Sequence, residues 1–253
     1  MSKIYPPHLQ DERFIAFTVG APADHMAGSE IGEYNRLLLK VELSPVKLTW
    51  LTLEHSDKVI LNPHARTHAD AVIVTEPGLA VGFTTADCLP IVIAAKRKQN
   101  ESKHALPETL GIAGIHAGWL GLSSGVIERS VERMSEEQGF LSQEMFAWIG
   151  PAIKREDYEV GLDTYQALSR IPAAHDEHFT VTRPGHWLAD LPALAAAVLM
   201  DKGIPKDQIS LYPHSSFAHP QLHSFRRDKE MSGRMATVVG LKLCQADFRA
   251  ALT

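Results

Sequence analysis

Six short runs rich in Val, Ile, Leu and Thr punctuate the first half of the chain, at residues 14–19, 47–53, 71–75, 79–84, 89–94 and 110–115. Each is bounded by Pro, Gly, Asp or Asn, and such runs predict strands. Between the third and fourth, Glu76-Pro77-Gly78 predicts a tight turn and therefore a hairpin. Further on the apolar spacing lengthens to the helical period. Val126, Ile127, Val131 and Met134 predict a helix that ends near Gly139. A second helix is expected to follow Gly161 and stop at Pro172. A third is expected over 191–202, with Asp190 as N-cap, Pro192 in its first turn and Gly203 just past its end. Strands first and longer helices later indicate an α+β chain rather than regular βαβ alternation. Residues 96–107 are polar and charged between two apolar runs, which reads as an exposed loop insertion. With no repeat and no Gly/Ser linker, residues 1–253 read as a single domain.

Composition narrows the function classes. A chain of 253 residues with 45% hydrophobic and 22% charged residues can bury a sizeable core without covalent staples. The formal charge of −5 argues against a nucleic-acid partner, since counterion release needs a dense field of Lys and Arg. The longest basic run is Lys96-Arg97-Lys98. Two cysteines, Cys88 and Cys244, make a disulfide framework unexpected. The opening Met1-Ser2-Lys3-Ile4-Tyr5-Pro6-Pro7 has no long apolar stretch, and no segment approaches the ~18 apolar residues of a membrane span. A cytoplasmic protein with no membrane partner is expected.

Three segments place a candidate ligand just after a strand-like run: His55 after Trp50-Leu51-Thr52-Leu53-Glu54, Cys88 within Thr84-Thr85-Ala86-Asp87-Cys88, and His116 after Gly114-Ile115. Loops that follow strands are where folds mount functional side chains. Two imidazoles and one thiolate suit a borderline-soft metal such as zinc, and three protein ligands leave a fourth position open. Taken singly, Cys88 reads as a core thiol and the histidines as surface or hydrogen-bonded residues. The intervals between residues 55, 88 and 116 are far longer than the local spacings of zinc-finger motifs, so spacing alone leaves the site open.

Several blocks, in order, change this. Ala69-Asp70-Ala71-Val72-Ile73-Val74-Thr75, Thr85-Ala86-Asp87-Cys88-Leu89-Pro90, His116-Ala117-Gly118-Trp119, Trp148-Ile149-Gly150-Pro151-Ala152-Ile153, Tyr158-Glu159-Val160-Gly161, Ser224-Phe225-Arg226-Arg227-Asp228 and Ser232-Gly233-Arg234-Met235-Ala236 resemble the YfiH-like, or laccase-domain, family. The likeness runs from about Trp50 to Val239; before it, only Phe17-Thr18 and Asn35-Arg36 are similar. The resemblance implies a single-domain, four-layer α-β-β-α sandwich of mixed sheets, shared with the catalytic domain of cytotoxic necrotizing factor. It implies His55, Cys88 and His116 as metal ligands, holding zinc, with copper as the alternative. His68 competes for the first place, but it lies directly before the Ala-Asp-Ala block while the family's histidine lies upstream, which favours His55.

Members of the family are described as zinc enzymes of purine nucleosides, by phosphorolysis of adenosine, inosine or methylthioadenosine and by adenosine deamination. They are also described as polyphenol oxidases, and a role in editing peptidoglycan precursors is associated with them. The substrates implied here are a purine nucleoside and phosphate. A metal that activates water suits attack at C6 of adenine. Arg226 and Arg227, with Asp228 beside them, are candidates for the phosphate site, because guanidinium matches phosphate as a two-pronged fork; the alternative is a pair of solvated surface arginines. Asp87 is placed to orient a ligand or act as a base, or else to cap the structure. Three departures from the family pattern stand out. Leu120 occupies the position of an arginine, Glu156-Asp157 replaces Cys-Cys, and Tyr212-Pro213-His214-Ser215-Ser216 replaces a Cys-containing block.

Three competing classes remain. A multicopper oxidase clusters its coppers with His-x-His pairs, which this sequence lacks, although His214, His219 and His223 can gather adventitious copper. A cysteine hydrolase would use Cys88 as nucleophile and His116 as base. A non-catalytic module would bind a nucleotide-linked precursor and keep its metal for structure.

Overall fold

The computed structural model describes residues 3–7, 9, 11–20, 46–97 and 109–243. Cys244, the Asn35-Arg36 pair and all but the first two residues of the expected insertion lie outside the described residues. All six predicted strands form: β2 (Phe14–Gly20), β3 (Lys47–Thr52), β6 (Ala71–Val74), β7 (Leu79–Thr85), β8 (Leu89–Arg97) and β9 (Thr109–Ala117). Around them stand the short strands β1 (Lys3–Ile4), β4 (Val59–Leu61) and β5 (Thr67–His68). Later in the chain come β10 (Met145–Ile149), β11 (Glu159–Gly161), β12 (Phe179–Arg183), β13 (His186–Ala189), β14 (Ile209–Leu211) and β15 (Met235–Leu241).

Two six-stranded mixed sheets result, ordered β1-β2-β15-β7-β3-β5 and β14-β10-β8-β9-β6-β4, with a small third sheet β11-β13-β12. Their packing follows from the sequence of β8. Ile91 and Ile93 point to one side, into a cluster with Val126, Ile127, Val131, Leu194 and Val198 of the helices. Val92 and Ala94 point to the other, into a cluster with Val81, Phe83 and Val239 of the first sheet. A strand buried on both faces needs an unbroken apolar run, and β8 has one. Gly114 of β9 lets the sheets approach: a Cβ there would lie 2.8 Å from both Phe83 and Val239. The far face of the first sheet carries Ile15, Phe17, Val19, Trp50, Ala80, Ala236 and Val238, clustered among the described residues only with Val46 and Leu48. Among the described residues no helix residue joins this cluster.

The hairpin expected at Glu76-Pro77-Gly78 does not form. Gly78 makes the turn with φ +82°, but β6 belongs to the second sheet and β7 to the first. Both strands are buried almost throughout, so the turn carries the chain between stacked layers rather than back along one sheet. Nor are strands confined to the first half. β15 returns to the centre of the first sheet, between β2 and β7.

The helices are α1 (Trp119–Ser123), α2 (Val126–Glu132), α3 (Leu162–Ser169), α4 (Leu191–Asp201) and α5 (Phe225–Asp228). Helix α2 continues as a wider turn over Arg133–Glu137 and gives out at Gly139 (φ +71°). The Asp190 carboxylate accepts the Ala193 N–H at 2.9 Å and so caps α4. Gly203 follows at φ +88°, a backbone setting that suits glycine. Among the described residues no helix is long and apolar enough to cross a membrane.

Candidate metal centre

The site forms where the ends of the two large sheets meet. His55 lies just past β3 in the left-handed conformation (φ +56°). The N–H groups of Glu54, His55 and Ser56 there all donate to the Asp70 carboxylate, at 3.2, 3.0 and 2.8 Å. The Ser56 hydroxyl adds a fourth bond at 2.7 Å. Successive N–H groups arranged this way bind anions, and here the anion is supplied by the fold.

His116 arrives from the other side. It is 2% exposed near the end of β9, paired with Pro90 of β8. Its Nδ1 lies 2.8 Å from Asp70 Oδ1, which leaves Nε2 to face the centre. Cys88 stands immediately before β8, next to Asp87, which also has a positive φ of +85°. The Asp87 carboxylate accepts the Ser216 hydroxyl at 2.7 Å and the Arg226 N–H at 2.6 Å. Both of its oxygens are thus engaged in holding the Cys88 turn against the start of α5.

The ligand atoms of His55, Cys88 and His116 lie within 4.8 Å of one another. Cys88 Sγ is 4.0 Å from His55 Nε2, and the two imidazoles meet edge to face with centroids 4.8 Å apart. Two nitrogens and one sulfur form a donor set that suits zinc or copper. His68 does not join them; it is exposed and pairs with Glu54 at 2.9 Å.

Electrostatics couple the members of the site. Burial alone would push the Cys88 thiol up, but hydrogen bonds with His116 and His55 outweigh it and bring it down to about 6. Burial likewise disfavours the His116 imidazolium, yet Asp70 and the Cys88 thiolate raise it to about 9. Burial also acts on Asp70, whose bonds to His116 and Ser56 nonetheless keep it well below the usual carboxylate range. In the metal-free protein Cys88 is therefore a thiolate at neutral pH. Its alkylation rate by iodoacetamide should rise with a midpoint near 6, below the ~8.5 of a free thiol. A rate still climbing through pH 8 would show an ordinary thiol.

A cleft of about 340 Å³ opens beside these residues, lined by His55, Cys88, Trp119, Leu120, Tyr158 and Leu191, with Glu54, Asp87, Gly118 and Ile153 completing it. That volume falls at the lower end for small-molecule sites. Burial raises the Tyr158 phenol to about 12, so it stays protonated. Arg226 lies over the Tyr158 ring, 4.9 Å from its centroid, and donates one guanidinium N–H to the Glu159 carbonyl at 3.0 Å. Arg227 is occupied elsewhere. It pairs with both oxygens of Asp228, at 2.9 and 2.8 Å, and donates to the carbonyls of Ser216, Phe217 and Leu222. Arg226, Arg227 and Asp228 do not line the cleft.

Asp70 is the residue that sequence reasoning quoted without a role. A signal was there: an ionisable side chain heading a wholly apolar strand is buried at a cost unless it has partners. Tyr158 and Trp119, quoted only within their blocks, also prove to be cleft walls.

The sequence profile of the family described as "Multi-copper polyphenol oxidoreductase laccase" matches residues 29–242. A purine nucleoside phosphorylase of Xylella fastidiosa is 38% identical over 173 residues, a stretch that spans 67% of this chain but only 60% of that relative. The purine nucleoside phosphorylase YfiH of Escherichia coli is 31% identical, over 78% of this chain and 75% of its own length. A purine nucleoside phosphorylase of Haemophilus influenzae is 30% identical over 89% of this chain and 87% of its own. In fold, the chain is similar to the hypothetical protein YfiH of Bacillus licheniformis (TM-score 0.77, 20% identity, 90% and 93% of the two chains). It is also similar to Neisseria meningitidis NMB0706 (TM-score 0.71, 26% identity, 92% and 100%). The chain belongs to the YfiH-like, laccase-domain family.

Proposed function

We propose that the chain is a zinc-dependent enzyme of purine nucleosides, with His55, Cys88 and His116 as its metal ligands. The observation that carries this reading is the convergence of the three ligand atoms within 4.8 Å beside a cleft of small-molecule size. The names of relatives at 30–38% identity support the substrate class. Zinc bound there supplies Lewis acidity. The chain's own residues do the rest. Trp119, Leu120, Ile153, Tyr158 and Leu191 offer apolar walls that suit a planar base, and the Tyr158 hydroxyl can donate a hydrogen bond into the cleft. Arg226, next to the Tyr158 wall, is the arginine we assign to phosphate. Arg227 and Asp228 we assign instead to bracing the segment that carries it. Asp87, with both carboxylate oxygens engaged, we assign to positioning rather than to proton abstraction. Leu120 is 42% exposed and presents no charge, and Arg226 lies outside the cleft lining, so this assignment requires phosphate to sit at the cleft's edge beside Tyr158.

The test is turnover of adenosine and inosine by zinc-loaded protein, with and without phosphate. The expected result is phosphate-dependent release of the base, or inosine from adenosine. Neither product from protein that holds zinc would reject the reading.

A second reading has its own observation. Cys88, His116 and Asp70 form a thiolate, imidazole and carboxylate series of the kind used in nucleophilic catalysis. It is told apart by chelation, which abolishes a zinc enzyme's turnover and leaves a cysteine hydrolase active.

A further inference from the structure

We propose that Asp70 is the positioning residue that makes a single preformed unit of two metal ligands on different sheets. The proposal rests on reading His55, Cys88 and His116 as a metal site.

The argument starts from burial. Asp70 has no exposed surface, and a carboxylate in that position is tolerated only when its charge is matched by donors. It has five: the N–H groups of Glu54, His55 and Ser56, the Ser56 hydroxyl, and the His116 ring. Four come from the turn after β3 of the first sheet and one from β9 of the second. The two oxygens divide this work. Oδ1 takes both His55 N–H and His116 Nδ1, so one atom ties together the backbone of one ligand and the ring of another. The main chain repeats the link, since His116 N–H donates to the Asp70 carbonyl at 2.7 Å.

Two consequences follow. First, the left-handed conformation of His55 is costly for a non-glycine residue, and the bonds to Asp70 hold it in place. Second, the carboxylate fixes His116 with Nδ1 turned away from the centre, so its other nitrogen, Nε2, is already aimed at it. Partners of this kind set ring orientation and raise the basicity of a ligating imidazole. Arriving metal therefore finds two of its three ligands already placed.

The experiment measures metal affinity and ligand geometry on full-length protein. Zinc is titrated against a chromophoric chelator. Cobalt(II) is then used as a probe, since its charge-transfer band reports the Cys88 sulfur and its d–d bands report the coordination geometry. Asp70→Asn keeps the shape and removes the charge and one acceptor. It is expected to weaken zinc binding roughly 10- to 100-fold and to alter the cobalt d–d bands. Ser56→Ala, which removes one donor of the five, should weaken zinc several-fold in the same direction. Thr18→Val is the control for general loss of stability. It breaks a buried hydroxyl pair with Thr237, 2.7 Å long, within the first sheet, and should leave metal binding unchanged.

If Asp70→Asn folds and matches the wild type in zinc affinity and cobalt spectrum, Asp70 serves the fold alone and the proposal fails. Should Asp70→Asn not fold, Ser56→Ala decides: unchanged affinity and spectrum would overturn the proposal, and weaker binding with a shifted spectrum would support it. Wild-type protein that takes up neither zinc nor cobalt would instead refute the metal reading itself.

Discussion

Cys88→Ala is expected to abolish metal binding and leave the fold intact. The thiolate is the one anionic member of the proposed ligand set, and two neutral imidazoles alone hold zinc poorly. Elemental analysis should give about one zinc per wild-type chain, as a single three-residue site requires, and almost none in the variant. The loss of affinity should exceed the roughly 100-fold that an outer contact can cost. Folding should survive, because Cys88 lies in the turn ahead of β8 and lines a cleft rather than the core clusters. Losing one sulfur at such a place costs on the order of 1 kcal/mol or less. Calorimetry on metal-free samples checks this, and nucleoside turnover should vanish together with the zinc. Zinc retained at wild-type level by the variant would mean that Cys88 is a nucleophile or a packing residue.

Gly118→Ala is expected to reach the same end by crowding. Gly118 precedes α1 with φ −78° and ψ 179°, an extended conformation open to any residue, so the backbone does not oppose alanine. The contacts do. A Cβ at this position would lie 2.9 Å from Cys88 Sγ and 3.1 Å from His55 Cδ2. Ordinary non-bonded separations are about 3.5–4.0 Å, so both ligands must retreat by several tenths of an ångström. Side-chain ends can move that far at small cost to the fold. A metal site cannot, because its donors must close on one ion within narrow limits. The melting temperature of the metal-free variant should therefore stay within a few degrees of wild type, while zinc affinity falls at least roughly tenfold. Wild-type affinity in Gly118→Ala would show that the ligands have more room than the static contacts imply.

The strands were legible because their burial is simple. Runs such as Val72-Ile73-Val74 and Ile91-Val92-Ile93 are short, β-branched and apolar on both faces, which suits a strand between two packed layers. The α4 cap was legible for a similar reason, since Asp190, Pro192 and Gly203 act within one turn of themselves. Partnership between strands was not. Glu76-Pro77-Gly78 encodes a turn, but nothing local says whether the chain comes back beside itself or crosses to the facing sheet. β15 shows the same limit, because its neighbours β2 and β7 lie far back in the sequence. At the site, Cys88 and the two histidines could be named only through the family blocks. Asp70 needed coordinates, since its role is a set of distances to residues 14 to 46 positions away. For Arg227 the residue type suggested phosphate, and the structure gives its guanidinium to carbonyls and to Asp228.

The pairing of β8 with β9 has a meaning for how such a site can persist while the chain around it changes. Leu89 pairs with Ala117 at the cleft end, and Arg97 pairs with Thr109 at the other, the last of nine residue pairs and roughly 26–27 Å away at the usual rise per residue. Cys88 and His116 are thus held side by side by register, whatever the length of chain between Arg97 and Thr109. That length is a free variable: residues can be gained or lost at the distal end without moving either ligand. A fluorophore or purification tag inserted there would leave the donors where they are. A single-residue slip within the nine pairs would instead turn His116 to the opposite face of the sheet and dismantle the centre.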